Sequence, residues 1–578
     1  MKRSVVFIIA LLVAVAAVAG GWYAYRRAAP QASAELLDFV PSDTVLFLGY
    51  TRPLPVQALY EKWREVTKAG LSQPADMDPK AAAESAGPAV ALYQAMVQQQ
   101  LAALERGENP YAQYGLPEDG AVGAFYAAGA LPVARWRISD ADTLWKSVDD
   151  AEKRAGIKGR PDQRGKVALR RYAFKTADPQ HKLDLVVATG DGFAAVTVDG
   201  SGIEDSALDT ALGVSRPKEN LSEDRLDKLA ERHDFVEGTA GFLDHEELMA
   251  ALTGAPGNRL GKTLNRIAAA WGASTPILPA LRTEACRADA NAIAAVWPQT
   301  AVGISSMDTD TGRIAQRLVI ESNDRETLDQ LSRLRGHIPG VFDMPAAFGM
   351  GLGLDFASVV PVVQSLTSRF SNASFQCPGL VAIQQQAAQA NTAQLGMATA
   401  MLADVKGVAA VLLKLKPGTD PGMPTRGDAI LSIASERPQS IWNMLQSMVG
   451  LGVENSPEVG GPPVALPPQL TRGQRVRVAL KPKTLNFLVG DAELPAPNDG
   501  AAEALTPNGL LSLRYHYGRL FSALAPAMSE IPADMSPQER KAANDAMESL
   551  KNLNASVTTT TDITDRGIEV DMQMQPGD

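Results

Sequence analysis

Asp38–Pro55 reads DFVPSDTVLFLGYTRPLP, and its centre decides the fold. Val45 to Tyr50 is a short, wholly apolar run with Pro41 before it and Pro53 and Pro55 after it. A run of that length between turn residues predicts a strand buried on both faces. Thr51 followed by Pro53 predicts a helix start, because proline in the first turn forfeits an N–H that has no partner there anyway.

The same order of strand, turn and amphipathic helix recurs. Thr44–Trp63 is the first instance, GTAGFLDHEELMAAL (Gly238–Leu252) the second, AAFGMGLGLDFASVVPVVQSL (Ala346–Leu366) the third and NGLLSLRYHYGRLFSAL (Asn508–Leu524) the fourth. Each is followed by a hairpin pattern, at Ala121–Val148, Ala301–Leu331, Gly407–Leu445 and Ser556–Gln575. The first two hairpins begin Ala-Val-Gly, and Asp565-Arg566-Gly567 supplies the turn of the last. Ser139 with Asp142, Asn323 with Glu326 and Asp244 with Glu247 have the spacing of N-cap and N3 pairs, and Ser435 with Pro438 that of another helix start. Further strands are predicted at 167–174, 183–189, 193–198, 475–480 and 484–489. Helices are predicted at Ala89–Arg106 and over the Gln/Ala-rich Leu380–Val405, and a loop at Pro457–Pro468.

Repetition at this spacing predicts an α+β fold: an N-terminal transmembrane helix followed by two duplicated domains of antiparallel sheet packed by helices. The expected boundaries are 1–27 for a signal anchor, 28–35 for a linker, 36–336 for the first domain and 337–578 for the second. A chain of 578 residues, 45% hydrophobic and 21% charged, is long enough for such an arrangement.

The formal net charge is −10, from 55 Lys+Arg against 65 Asp+Glu. That balance argues against nucleic acid as a partner, since such binding relies on neutralising phosphates. Val5 to Ala24 is apolar, with Lys2 and Arg3 before it and Trp22, Tyr23 and Tyr25 at its far end. About 20 such residues cross a hydrocarbon core of about 30 Å. The expectation is a single-pass anchor in a bacterial inner membrane, N-terminus inside and the bulk periplasmic. Ala17-Val18-Ala19 leaves signal cleavage and release to the periplasm as the alternative. The only two cysteines, Cys286 and Cys377, form neither a C-x-x-C motif nor a Cys/His cluster. They form a candidate disulfide, with two buried free thiols as the other reading.

Pro41-Ser42-Asp43-Thr44 opening an apolar strand behind an N-terminal anchor resembles uncharacterised bacterial envelope proteins of a domain-of-unknown-function family. The likeness extends to GDGFAAVTVDG (Gly190–Gly200) and to the strand–turn–helix at Gly241. It implies an envelope location and supplies no catalytic residues.

No coherent catalytic, metal or cofactor set emerges. His245-Glu246 opens like a zincin helix, but Met249 holds the place of the second histidine. His181, His233, His337 and His516 are scattered, with His181 in a loop. Gly349, Gly351 and Gly353 lack the third glycine and the lysine of phosphate-binding loops and suit close packing over a strand. Asp149-Asp150 reads as a solvated helix face and Asp308-Thr309-Asp310 as a hairpin turn. There is no G-x-S-x-G elbow. The functional expectation is a membrane-anchored, non-catalytic binding or scaffolding protein of the envelope, with an envelope protein or lipid as partner. A carrier of lipid or another apolar ligand and a hydrolase with dispersed residues are the alternatives.

Overall fold

The computed structural model describes residues 36–75, 77–117, 120–272, 279–388, 396, 399–416, 426–449, 456–471, 473–495, 504–528, 544, 548 and 551–577. The expected fold, two duplicated domains behind a transmembrane helix, is corrected. The strands of the described residues, nineteen in number, belong to one large antiparallel sheet interspersed with helices. Repeated hairpins report which elements form but not where a sheet ends, because each outer strand still offers a row of N–H and C=O groups. Among the described residues no helix is long and apolar enough to cross a membrane. Residues 1–27, read as the anchor, lie outside the described residues.

The chain divides into two compact units, one running to Glu321 and including Gln376–Gly379, the other comprising Ser322–Phe375 and Leu380–Asp578. In the first unit, β1 (Leu46–Leu54) pairs on one side with β2 (Ala121–Ala128) and on the other with β8 (Gly241–Asp244). From β2 the ladder continues through β3 (Leu131–Arg137), β7 (Phe193–Gly200), β6 (Leu183–Gly190), β5 (Val167–Ala173) and β4 (Arg160–Arg164). From β8 it continues through β9 (Gln299–Asp308) to β10 (Arg313–Glu321).

β1 is therefore a central strand, but it does not end where Thr51-Arg52-Pro53 suggested. Thr51 to Leu54 remain extended, the register against β2 shifts between Tyr50 and Leu54, and helix α1 begins only at Val56 (Val56–Ala75). The irregularity absorbs Pro53, which has no N–H to give a ladder. Thr51 is thus no cap; its N–H donates to Gly238 O at 3.0 Å. The core beneath β1 is aromatic. Phe47 stacks on Phe242 at 6.3 Å between centroids, and Phe39 meets Phe193 edge-on at 5.2 Å. Helices α2 (Pro79–Ala86), α3 (Pro88–Glu105) and α4 (Ala141–Ala155) pack with one another around a second cluster that includes Leu92, Trp136 and Leu144.

In the second unit, β11 (Phe348–Leu352) lies between β12 (Val405–Lys416) and β17 (Leu511–His516). One flank runs β12, β13 (Arg426–Ser435), β16 (Thr484–Val489), β15 (Val476–Leu480), β14 (Val464–Ala465). The other runs β17, β18 (Ala555–Ile563), β19 (Gly567–Pro576). Trp442, fully buried, joins Val478, Leu480 and Leu485 in the core on the first flank.

Two caps fall one residue later than expected. Asp140, not Ser139, accepts the N–H of Asp142, and Asp324, not Asn323, accepts that of Thr327 to start α10 (Arg325–Ser332). A carboxylate accepts more strongly than a neutral hydroxyl or amide, and its charge complements the helix N-terminus. Ser139 instead donates to Gly115 O at 3.2 Å. Asp244 does cap α7 (His245–Leu252), accepting from Glu247 N at 3.0 Å. The long helix read over Leu380–Val405 is also corrected: α12 spans Pro378–Ala388, Val405 opens β12, and part of the remainder lies outside the described residues. From Val405 onward, alternating burial and β-branched residues favour a strand. Pro457–Pro468, read as a loop, contributes the two-residue strand β14.

Candidate functional site

Four of the five histidines are tied into local structure. His245 begins α7, with Nδ1 2.8 Å from Trp297 O and Nε2 3.0 Å from Thr300 Oγ1, so both ring nitrogens are occupied. His181 stacks on Trp271 with centroids 4.9 Å apart. His233 is fully buried against Glu321, and buried His337 places Nδ1 2.8 Å from Thr506 O. Among the described residues no group of three or more His, Cys, Asp or Glu side chains is placed to hold a metal ion.

Asp308 closes its turn by accepting N–H bonds from Asp310 and Thr311, and hydrogen bonding from Thr311 pulls its pKa down. Asp149 is not simply solvated, since Arg170 meets it at 2.6 Å. Gly349 faces Phe342 and Val411, and Gly351 faces Ile338 and Phe342, so side chains pack closely over β11 there. Cys286 and Cys377 lie within the first unit at disulfide distance, with sulfurs 2.00 Å apart, and both are buried. Asp289 supports the pair by accepting the N–H groups of Gln376 and Cys377 at 2.8 and 2.7 Å.

The fifth histidine leads to a concave site. In the second unit a cavity of about 340 Å³ is lined by Pro345, Ala346, Arg514, His516, Arg519, Ser556, Thr558, Gln573 and Gln575. Its floor follows from strand periodicity. Arg514 and His516 are two apart on β17, Ser556 and Thr558 on β18, Gln573 and Gln575 on β19, so each pair shares a face. Register then aligns them in rows, Arg514–Thr558–Gln573 and His516–Ser556–Gln575. The intervening Tyr515, Val557 and Met574 point to the opposite face, where Val557 is buried.

Arg514 is fixed by its surroundings. Its Nε donates to Thr558 Oγ1, Nη1 to Phe342 O and Nη2 to Asp343 Oδ1, each at 3.3 Å, and its guanidinium lies 5.0 Å from the Phe342 ring centroid. His516 accepts the Arg519 N–H on Nδ1 at 3.4 Å and places Nε2 3.1 Å from Asn554 Oδ1, which fits an Nε2–H tautomer. Burial, followed by the charge of Arg519, lowers the His516 pKa below its ordinary value. At neutral pH it is a neutral, tethered wall of the site.

Of this set the sequence reading singled out only His516, and only as an isolated histidine. The polar residue at every second position of three strands was a readable signal. That β17 lies beside β18 was not, since 38 residues separate the end of β17 at His516 from the start of β18 at Ala555. No family model, no curated protein and no solved structure matches the chain.

Proposed function

We propose that the protein is a non-catalytic binding protein of the bacterial cell envelope, held at the inner membrane through the apolar Val5–Ala24 stretch, with its bulk in the periplasm. The observation that carries this reading is the buried Cys286–Cys377 pair. Two cysteines in 578 residues, brought to bonding distance and buttressed by Asp289, suit a compartment where disulfides persist. The resemblance of the Pro41–Thr44 opening to envelope proteins agrees with it. The polar cavity over β17–β19 supplies a surface for a ligand without requiring a nucleophile or a metal. A reporter that matures only outside the cytoplasm, fused after Asp578, tests the location. Activity of that fusion is expected; activity confined to a cytoplasm-only reporter at the same position overturns it.

One observation favours a second reading, a binder of lipid or another apolar ligand. Leu513, Met350, Ala410 and Leu431 form a row across β17, β11, β12 and β13, with Met350 43% and Leu431 41% exposed. An apolar row left open on a sheet face is a surface that gains from being covered. Native mass spectrometry of protein prepared without detergent tests this: co-purified lipid supports it, and a ligand-free mass excludes it.

A further inference from the structure

The lining of the β17–β19 cavity is chemically one-sided. It holds two guanidinium groups, two carboxamides and two hydroxyls, and no carboxylate, in a chain whose net charge is −10. Arg514 and Arg519 differ in how they are held. Three hydrogen bonds fix Arg514, and its anionic neighbour, Asp343, is not part of the lining and has 77% of its side chain exposed. Water screens such a partner strongly, so Arg514 keeps most of its positive potential inside the cavity. Arg519, exposed in the first turn of α14 (Tyr517–Met528), forms no ion pair among the described residues.

The neutral groups have unspent capacity. Among the described residues the side chains of Ser556, Gln573 and Gln575 make no hydrogen bond, although they stand beside Thr558 and His516, which do. Carboxamides and hydroxyls both donate and accept, so they match a ligand whose own groups are hydroxyls. A guanidinium fork matches the two oxygens of a phosphate or carboxylate. Ligand pockets begin at about 300 Å³, so a cavity of about 340 Å³ suits a body of single-sugar size.

We propose that this cavity binds a small hydroxylated oxyanion, a phosphate or carboxylate carried on a sugar-sized body, with Arg514 and Arg519 on the oxyanion and Ser556, Gln573 and Gln575 on the hydroxyls. This rests on reading the protein as a binding protein and names the ligand class of its polar site. Arg514 is the positioned half of the clamp, and Arg519 is the half free to close on the ligand. His516 sets the wall between them by holding the Arg519 backbone.

The test is titration calorimetry on the full chain with inorganic phosphate, glucose 6-phosphate, glucuronate and glucose. Either glucose 6-phosphate or glucuronate is expected to bind at least 10-fold more tightly than glucose, and which of the two does so identifies the oxyanion. Inorganic phosphate is expected to bind more weakly than glucose 6-phosphate, because it lacks the hydroxylated body. Arg519→Glu and the pair Gln573→Ala/Gln575→Ala should each weaken binding at least 10-fold while the urea unfolding midpoint stays in place. Glucose binding as tightly as its charged relatives overturns the oxyanion assignment and leaves the binding reading intact. Absence of binding by all four, or Arg519→Glu binding like the parent, overturns the site itself, whereas the reporter fusion speaks to the envelope location independently.

Discussion

His233 Nε2 lies 2.6 Å from Glu321 Oε1, joining the C-terminal end of α6 (Glu223–His233) to the last residue of β10. The ring has no exposed surface, and Arg232 Nη1 at 3.0 Å and Gln299 Nε2 at 3.1 Å complete the carboxylate's shell. Burial alone would raise the Glu321 pKa. The hydrogen bond and charge of His233, with Arg232 and Gln299, outweigh it and bring the pKa below the ordinary glutamate value.

A carboxylate with a lowered folded pKa contributes stability that is full above its unfolded value and lost as pH falls through its folded one. Urea unfolding followed on the acid side of the ordinary glutamate range should therefore show stability declining with pH. Glu321→Gln should flatten this acid limb and destabilise the protein by about 1–3 kcal/mol, because it removes the carboxylate on which buried His233, Arg232 and Gln299 converge. An unchanged acid limb in the variant would remove Glu321 from that role.

Phe47 is fully buried between β2 and β8 and stacked on Phe242. Phe47→Ala should cost about 3–5 kcal/mol in chemical denaturation. Leu46, half-buried on the other face, should cost less when cut to alanine. Ligand binding in the second unit should survive Phe47→Ala under conditions where the variant is folded.

Gly349 and Gly351 are two apart on β11 and both face Phe342, yet they should respond differently. A Cβ at Gly351 would collide with Ile338 Cγ2, whereas at Gly349 the nearest atom, on Phe342, is 3.5 Å away. Gly351→Ala should destabilise by about 1–3 kcal/mol through overpacking, and Gly349→Ala should be tolerated. Thermal unfolding of the two variants decides between close packing and mere backbone freedom.

The caps make a paired prediction. Asp244→Ala removes the acceptor for Glu247 N and the partner of Arg225 at 2.9 Å, and should cost about 1–2 kcal/mol. Ser139→Ala should cost less than Asp140→Ala, because Asp140 holds the α4 N-terminus. Equal losses at Ser139 and Asp140 would contradict the cap placement.

These cases show what was legible in the chain. Strands such as Val167–Ala173 and Thr484–Val489 follow from alternation, which is local, and the structure places them within a residue or so of the sequence reading. Pro53 misled because a proline near an apolar run suits a helix start and a strand irregularity equally, and only the partner strand decides. The short strand β4, Arg160–Arg164, was missed because its residues are mostly exposed and polar and carry no apolar signal. The polar cavity was invisible for a different reason. Its rows need β17 beside β18, and while the turn at Asp565-Arg566-Gly567 encodes the β18–β19 hairpin, no local pattern encodes the pairing of β17 with β18. His233 and Glu321, 88 positions apart, illustrate the same limit.

The claim that the protein works outside the cytoplasm is tested most directly by the thiol state of Cys286 and Cys377. The measurement is the intact mass of the full chain, isolated from its native cells under rapid acid quench and alkylated with and without prior reduction. The account predicts no alkyl group added before reduction and two after it. Two groups added before reduction would contradict it.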